Sequence, residues 1–264
     1  MLELYQFELS HYCEKIRLML NYKGLPYQAQ EVAPGIGQVK LFQLSGQRQV
    51  PVLKDGEQVI TDSTAIAQYL EQKFPEHLVI PSDPKQKALC LMMEEWADSS
   101  IGLNGRVAMI GAFNQHPDFR AAFLKGILPD SLQNFVRALP GDALTLLGTS
   151  VGFGADAVKA AHIALAQNLE ALCLILAEQP YLLGEQPTLA DFAVAGLSMY
   201  VCFPTSPALN IPLALKGMGV PGLADRSEFA PFFSWRDQLY ADFRKADSGH
   251  SNPASGPQTI PVED

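Results

Sequence analysis

Leu2-Glu3-Leu4-Tyr5-Gln6-Phe7-Glu8-Leu9-Ser10-His11-Tyr12-Cys13-Glu14-Lys15-Ile16-Arg17-Leu18-Met19-Leu20 changes its hydrophobic period partway along, and that change decides the fold. Up to Phe7 the residues alternate, with Leu2 and Leu4 on one face and Tyr5 and Phe7 on the other. Apolar surface on both faces is the pattern of a short central strand. From Tyr12 the spacing becomes helical: Cys13, Ile16, Met19 and Leu20 fall on one side, and Gly24 followed by Leu25-Pro26 supplies a stop. Ser10 stands at the strand-to-helix turn, where a hydroxyl can cap the helix.

Tyr27 to Val32 reads as a second strand, and the strand-helix-strand spacing predicts a parallel pair. A looser segment containing Lys40 to Leu44 is compatible with helix. Val50-Pro51-Val52-Leu53 and Gln58-Val59-Ile60 flank Lys54-Asp55-Gly56-Glu57, whose Asp-Gly step predicts a tight antiparallel hairpin. Ser63 is placed to cap a helix running through Ile66, Tyr69 and Leu70 to about Phe74, where Pro75 ends it. This order predicts a thioredoxin-like α/β domain over residues 1–80.

Pro81-Ser82-Asp83-Pro84 opens a linker placed at 81–86, after which no strand pattern recurs. Residues 87–246 are therefore expected to form an all-α domain. Lys85 to Asp98 reads as a helix with Leu89, Met92, Met93 and Trp96 on its apolar side. Val158, Ala161, Leu165, Leu169, Leu172 and Leu176 mark a long amphipathic helix. Thr188-Leu189-Ala190-Asp191 has the form of a capping box, and Phe232 to Lys245 reads as the last helix. The stretch from Ile101 to Gly154 is helix-compatible only in pieces, broken by Pro117, Pro129 and Pro140. Residues 247–264 carry too little apolar surface to order themselves, so a disordered tail is expected there.

Hydrophobic residues make up 48% of the 264 and charged residues 18%, the composition of a folded chain. The net charge of -9, with no basic run, argues against nucleic acid or an anionic membrane surface as a partner. Cys13, Cys90, Cys173 and Cys202 are far apart and form none of the close pairs that zinc sites or redox dithiols use, so no metal is expected. Met1 to Phe7 has no signal-peptide pattern, and the apolar stretch Ala160 to Ala177 is broken by His162, Gln167, Asn168 and Glu170. The expected setting is cytoplasmic, with no membrane span.

Three segments, Ser10-His11-Tyr12-Cys13-Glu14-Lys15-Ile16-Arg17, Val50-Pro51-Val52-Leu53 with Asp62-Ser63, and Tyr181 to Asp191, together resemble the soluble glutathione S-transferase family over nearly the whole chain. The resemblance implies that fold, glutathione as co-substrate and a homodimer. It places a cis peptide at Val50-Pro51, with the Val50 backbone pairing the cysteinyl part of glutathione. It also gives Asp62 and Ser63 to the γ-glutamyl end and Gln49 to the glycyl end. Read without the resemblance, Pro51 is a strand-edge proline and Ser63 an N-cap.

By the same resemblance Ser10 occupies the position of the catalytic serine of serine-type transferases, and Cys13 matches the second cysteine of a Cys-Pro-Tyr-Cys pattern. A thiol with a pKa of about 8.5 is mostly protonated at neutral pH. A hydroxyl donor together with a helix N-terminus would raise the thiolate fraction. The implied activity is a detoxifying glutathione transferase attacking a small hydrophobic electrophile or a peroxide. Tyr12 and Cys13 are secondary catalytic candidates, and Leu9, His11, Tyr12, Trp96 and Phe113 are candidates for the hydrophobic-substrate site. Two other readings remain open: a non-catalytic member that binds a ligand or partner, and a Cys13-dependent glutathione thiol transferase.

Overall fold

Leu4 pairs with Leu53 across an antiparallel ladder, and Leu53 with Ile60, so one face of a four-stranded sheet carries an aliphatic row. The computed structural model describes residues 1–33, 35–127 and 154–246. Its strands are β1 (Leu2–Gln6), β2 (Tyr27–Glu31), β3 (Val52–Asp55) and β4 (Gln58–Thr61), in the order β2-β1-β3-β4. β1 and β2 run parallel, Leu2 opposite Tyr27, and the crossover between them is α1 (His11–Tyr22). The other two pairs are antiparallel. The hairpin loop is Gly56-Glu57, one residue later than the Asp-Gly step suggested. Gly56 has φ 61°, the left-handed conformation a two-residue loop asks of its first residue.

Each face of the sheet has its own cover. Ile16, Met19 and Leu20 of α1 and Ile66, Ala67 and Leu70 of α3 (Ser63–Lys73) pack with Leu2, Leu4 and Leu53. On the opposite face Leu41 of α2 (Ile36–Ser45) packs with Val32 and Val52, with Tyr5, Val50 and Val59 beside them. The alternation along β1 and β3 thus sends one set of side chains to each layer, as the period of two requires.

The helical region begins with α4 (Pro84–Trp96), inside the stretch read as linker, where the Asp83 carboxylate accepts the Gln86 amide at 2.9 Å. A π-helical turn, Ala97–Gly102, leads into α5 (Leu103–Gln115), followed by α6 (Pro117–Ile127), α7 (Ala155–Glu178), α8 (Leu189–Leu197) and α9 (Ala230–Phe243). Pro117 therefore starts a helix instead of breaking one, as the first helical position allows. By length and composition α7 is long and apolar enough to cross a membrane. Val158, Ala161, Leu165, Leu169 and Leu172 of α7 are instead buried within the protein. The expected tail at 247–264 lies outside the described residues.

The Thr188 box forms as read: the Thr188 amide and hydroxyl both donate to Asp191 Oδ2 at 2.7 Å, while Asp191 Oδ1 accepts the Leu182 amide at 2.8 Å. It starts α8, which is buried along its whole length and lies directly against α1. A Cβ on Gly196 would come within 2.6 Å of the Lys15 backbone nitrogen, so the two helices meet backbone to backbone.

One helix face differs from the reading. On α4, Leu89 and Met92 are exposed, while Cys90, Glu94 and the following Ala97 are buried. The cause is Lys15, a fully buried cation on α1. Its ammonium pairs with Glu94 and with Asp98 at 3.1 Å. An unpaired buried charge is far more costly than an exposed leucine, so the helix turns its acidic side inward.

Candidate active-site cleft

A cleft of about 860 Å³ opens where the β1–α1 turn, the chain before β3 and the start of α3 face the π turn and α5. Ser10, His11, Tyr12, Gln49, Val50, Pro51, Asp62 and Ser63 all line it. Eight residues singled out from three separate segments are thereby brought together. Leu9, Cys13, Trp96 and Phe113 are not among its lining. Leu9, Trp96 and Phe113 pack on the main core instead. Phe113 lies two turns of α5 beyond the cleft, where its ring meets Phe123 at 5.7 Å.

Ser10 is the N-cap of α1, in extended conformation, with its amide donating to the Phe7 carbonyl at 2.8 Å. Its Oγ accepts the Cys13 amide at 3.4 Å. That bond uses a lone pair of the hydroxyl and leaves its proton free to donate. Cap and donor are therefore compatible roles for one side chain. Tyr200 fixes the turn from the helical side: its hydroxyl donates to the Leu9 carbonyl at 2.7 Å.

Tyr12 lines the cleft, but its hydroxyl donates to the Asp98 carbonyl at 3.3 Å, and burial, followed by the nearby Asp98 charge, pushes its pKa up. Cys13 is fully buried on the core side, and burial drives its thiol up to about 11. Both are poorly placed to act as nucleophile or base at neutral pH. Tyr5 lies on the strand with its hydroxyl toward Glu3 at 3.5 Å.

Val50 and Pro51 are joined by a cis peptide. β3 pairing begins only at Val52, and among the described residues the Val50 backbone makes no hydrogen bond. An extended peptide could add there as one more strand. Gln38, Gln47 and Arg48 stand on the same side.

The cap of α3 is Asp62, not Ser63: Asp62 Oδ1 accepts the Thr64 and Ala65 amides, both at 3.0 Å. Asp62 sits at φ 73° and ψ 133°, a conformation that costs a non-glycine residue about 1–3 kcal/mol. The two amide bonds hold it there, and the displaced Ser63 becomes the first helical residue. Its Oγ accepts from the buried Lys15 ammonium at 3.3 Å, as does Thr64 Oγ1 at 3.3 Å.

Behind this helix start lies a polar network that the sequence pattern did not reveal. Lys15 reaches Ser63, Thr64, Glu94 and Asp98, and Thr64 Oγ1 donates to Glu94 at 2.6 Å. Two carboxylates face one ammonium, so the cluster carries a surplus negative charge beside the cleft. Burial raises the Asp98 carboxyl above its usual range, and Lys15 pulls it back. The available signal was Lys15 itself, a cation on the buried side of a helix that had to have a counter-ion from elsewhere.

His11 is 1% exposed between the rings of Tyr12 and Tyr200, with centroids 4.4 and 4.2 Å away. Burial, reinforced by the Arg106 charge, lowers its pKa to about 3, so the ring is neutral. It fills the second place of the turn as a packed aromatic. No cluster of potential metal ligands occurs among the described residues.

A thioredoxin-like sheet with its cis-proline turn, followed by a helical region that closes one side of the cleft, defines the glutathione S-transferase fold. Residues 4–78 match the family model described as the N-terminal domain of glutathione S-transferase. A zeta-class glutathione S-transferase of Euphorbia esula is 31% identical over 147 residues, covering 54% of this chain and 65% of that protein. A glutathione S-transferase of Triticum aestivum is 36% identical over 98 residues, covering 37% of this chain and 46% of its own length. The chain thus spans less than two thirds of these curated relatives. The crystal structure of a beta-etherase from Sphingobium sp. strain SYK-6 superimposes with TM-score 0.65 at 22% identity, covering 91% of this chain and 95% of that one. Residues 4–78 thus carry the N-terminal domain of the glutathione S-transferase family, and the described residues as a whole have that family's fold.

Proposed function

We propose that the chain is a glutathione transferase: it binds glutathione along the cleft and uses Ser10 to hold the thiol as a thiolate for attack on a small hydrophobic electrophile. The observation that carries the reading is the Ser10 hydroxyl. It lies on the cleft at the N-terminus of α1, capping the helix through a lone pair, while the Val50 backbone edge stands open in the same cleft. Donation from Ser10 and the partial positive charge of the helix start both favour the anion over the thiol.

Each end of the tripeptide has a matching group. Ser63 and the helix start suit the γ-glutamyl carboxylate, and the Lys15 ammonium stands behind that serine. Asp62, with the surplus negative charge at Asp98, suits the ammonium. Gln49 and Arg48 suit the glycyl carboxylate. The division into a glutathione-binding domain at 1–80, a linker at 81–86 and a helical domain at 87–246 goes with this reading. In the reaction the thiol proton leaves to solvent, the sulfur forms a bond to carbon, and the displaced electron pair departs with a leaving group or moves onto a conjugated carbonyl.

The test is calorimetric titration with glutathione, followed by an assay of its conjugation to 1-chloro-2,4-dinitrobenzene. Binding that weakens in Ser63→Ala and turnover that falls in Ser10→Ala are expected. Absence of glutathione binding would leave the non-catalytic member of the fold as the better reading.

A further inference from the structure

Four charged side chains outside the cleft lining meet behind the Ser10 turn: Glu8 from the turn itself, Glu14 and Arg17 from α1, and Arg244 from the C-terminal end of α9. The side chains of Glu14, Arg17 and Arg244 are fully removed from solvent. Arg17 is divided among several acceptors. Its Nη1 pairs with Glu8 Oε2 at 2.8 Å, its Nη2 donates to the Phe7 and Glu8 carbonyls at 3.1 and 3.0 Å, and its Nε lies 3.0 Å from Glu14 Oε1. Those carbonyls belong to the turn that ends on Ser10, and the Phe7 carbonyl also accepts the Ser10 amide.

Arg244 completes the balance. It is the C-cap of α9; its Nε donates to Glu14 Oε2 at 3.2 Å, and its Nη2 stands 4.0 Å from Glu8 Oε1. Two arginines thus face two glutamates. The neighbouring groups leave that balance intact. Burial raises Tyr240 well above its ordinary pKa and Cys13 to about 11, so both are neutral at pH 7. Arg236 is paired with Asp237 at 2.7 Å, and the exposed Glu31 accepts the Glu8 amide at 2.9 Å. Without Arg244, Glu14 would draw on Arg17 alone, in a site where an unpaired charge is costly. The Arg17 guanidinium would then shift toward Glu14 and release the turn carbonyls. A surplus negative charge would also remain in the first turn of α1, where it disfavours a second anion beside Ser10.

We propose that Arg244 is a positioning residue for the Ser10 turn: by balancing Glu14 it leaves Arg17 to hold the Phe7 and Glu8 carbonyls, and so ties the geometry of the turn to the end of α9. Its consequence for the glutathione thiol rests on the proposed transferase function, whereas its effect on the turn is independent of any ligand.

The test is amide exchange followed by NMR in the full chain without glutathione. It compares the wild type, Arg244→Gln, and Arg244→Gln combined with Glu14→Gln. The Ser10 and Cys13 amides are expected to exchange about tenfold faster in Arg244→Gln. They should recover in the double variant, where Glu14 no longer competes for Arg17, and the Phe192 and Val194 amides of α8 should not change. Wild-type exchange of the turn amides in Arg244→Gln overturns the proposal. So does an acceleration shared equally by α8 or persisting in the double variant, which marks general destabilisation. Should Arg244→Gln fail to fold, Arg244→Lys takes its place: a smaller acceleration is expected, and none overturns the proposal.

The pKa of the bound thiol at saturating glutathione separates this role from the transferase reading. A rise in Arg244→Gln that the double variant reverses joins the turn to the chemistry. Where Ser10→Ala shifts that pKa and Arg244→Gln does not, the positioning role is overturned and the transferase reading stands. Faster turn exchange in a protein that binds no glutathione supports the positioning role and sinks the transferase reading.

Discussion

Ser10 Oγ accepts the backbone amide of Cys13 at 3.4 Å, so the serine caps the helix with a lone pair, a role that does not use its hydroxyl proton. The cysteine contributes its backbone to this arrangement, and its sulfur is turned into the core.

A chemical consequence concerns Cys13. Its thiol is fully buried with a pKa raised to about 11, whereas Cys173 is half-buried. In the folded protein at neutral pH an alkylating reagent is expected to label Cys173 well before Cys13, with Cys13 labelled only on unfolding. Mass analysis of the labelled peptides reads the order, and early modification of Cys13 would revive the thiol-transferase reading.

Lys15→Met removes the cation from a buried cluster and leaves Glu94 and Asp98 facing each other. Breaking a buried pair in this way costs about 3–5 kcal/mol, measurable as a lowered midpoint in urea unfolding. Adding Glu94→Leu to Lys15→Met should recover part of the loss, because a buried unpaired carboxylate is then removed. If the double variant is no more stable than the single one, the cluster is not the source of the loss.

Gly196→Ala tests the contact of α8 with α1. The added Cβ would meet Lys15 backbone atoms at 2.6 and 3.0 Å, and backbone cannot give way as a side-chain tip can. A destabilisation of about 1–3 kcal/mol is expected. Unfolding curves that match the wild type would mean that the helices separate freely.

How much could be read from the sequence follows from these same residues. Ser10 and Thr188-Asp191 were legible because a turn and a cap are local devices with fixed residue types, whereas the cis step at Val50-Pro51 came only from the family resemblance, its local reading being a strand-edge proline. Asp98, Tyr200 and Arg106 were not, because each reaches the cleft through packing between segments far apart in the chain. Leu89 and Met92 misled for a related reason: periodicity identifies an apolar side of α4 but not the buried Lys15 that outweighs it. The Asp62 cap was missed because a non-glycine at φ 73° is disfavoured locally, and only the two amide bonds it receives make it the better choice.

His11 gives the protein a pH-dependent term. The pKa of its folded form is lowered to about 3 from the ordinary 6.5, so above 6.5 both states are neutral and the contribution to stability is whole. As pH falls below 6.5 the unfolded chain takes up a proton that the folded one refuses, and stability is lost toward pH 3. By about pH 4.5 the loss is roughly 3 kcal/mol. His11→Phe keeps a ring between Tyr12 and Tyr200 without titrating. Between about pH 7 and pH 4.5 it should therefore lose less stability than the wild type by that amount, whereas parallel losses would show that His11 is not the titrating group.

The most direct measurement of Ser10's role is the pKa of the glutathione thiol in the bound complex, followed through the ultraviolet absorbance of the thiolate. The wild type is expected to hold it about one to two units below the free value of about 8.5, with Ser10→Ala returning it most of the way. A bound thiol that titrates identically in both proteins, at saturating glutathione, would contradict thiolate stabilisation by Ser10.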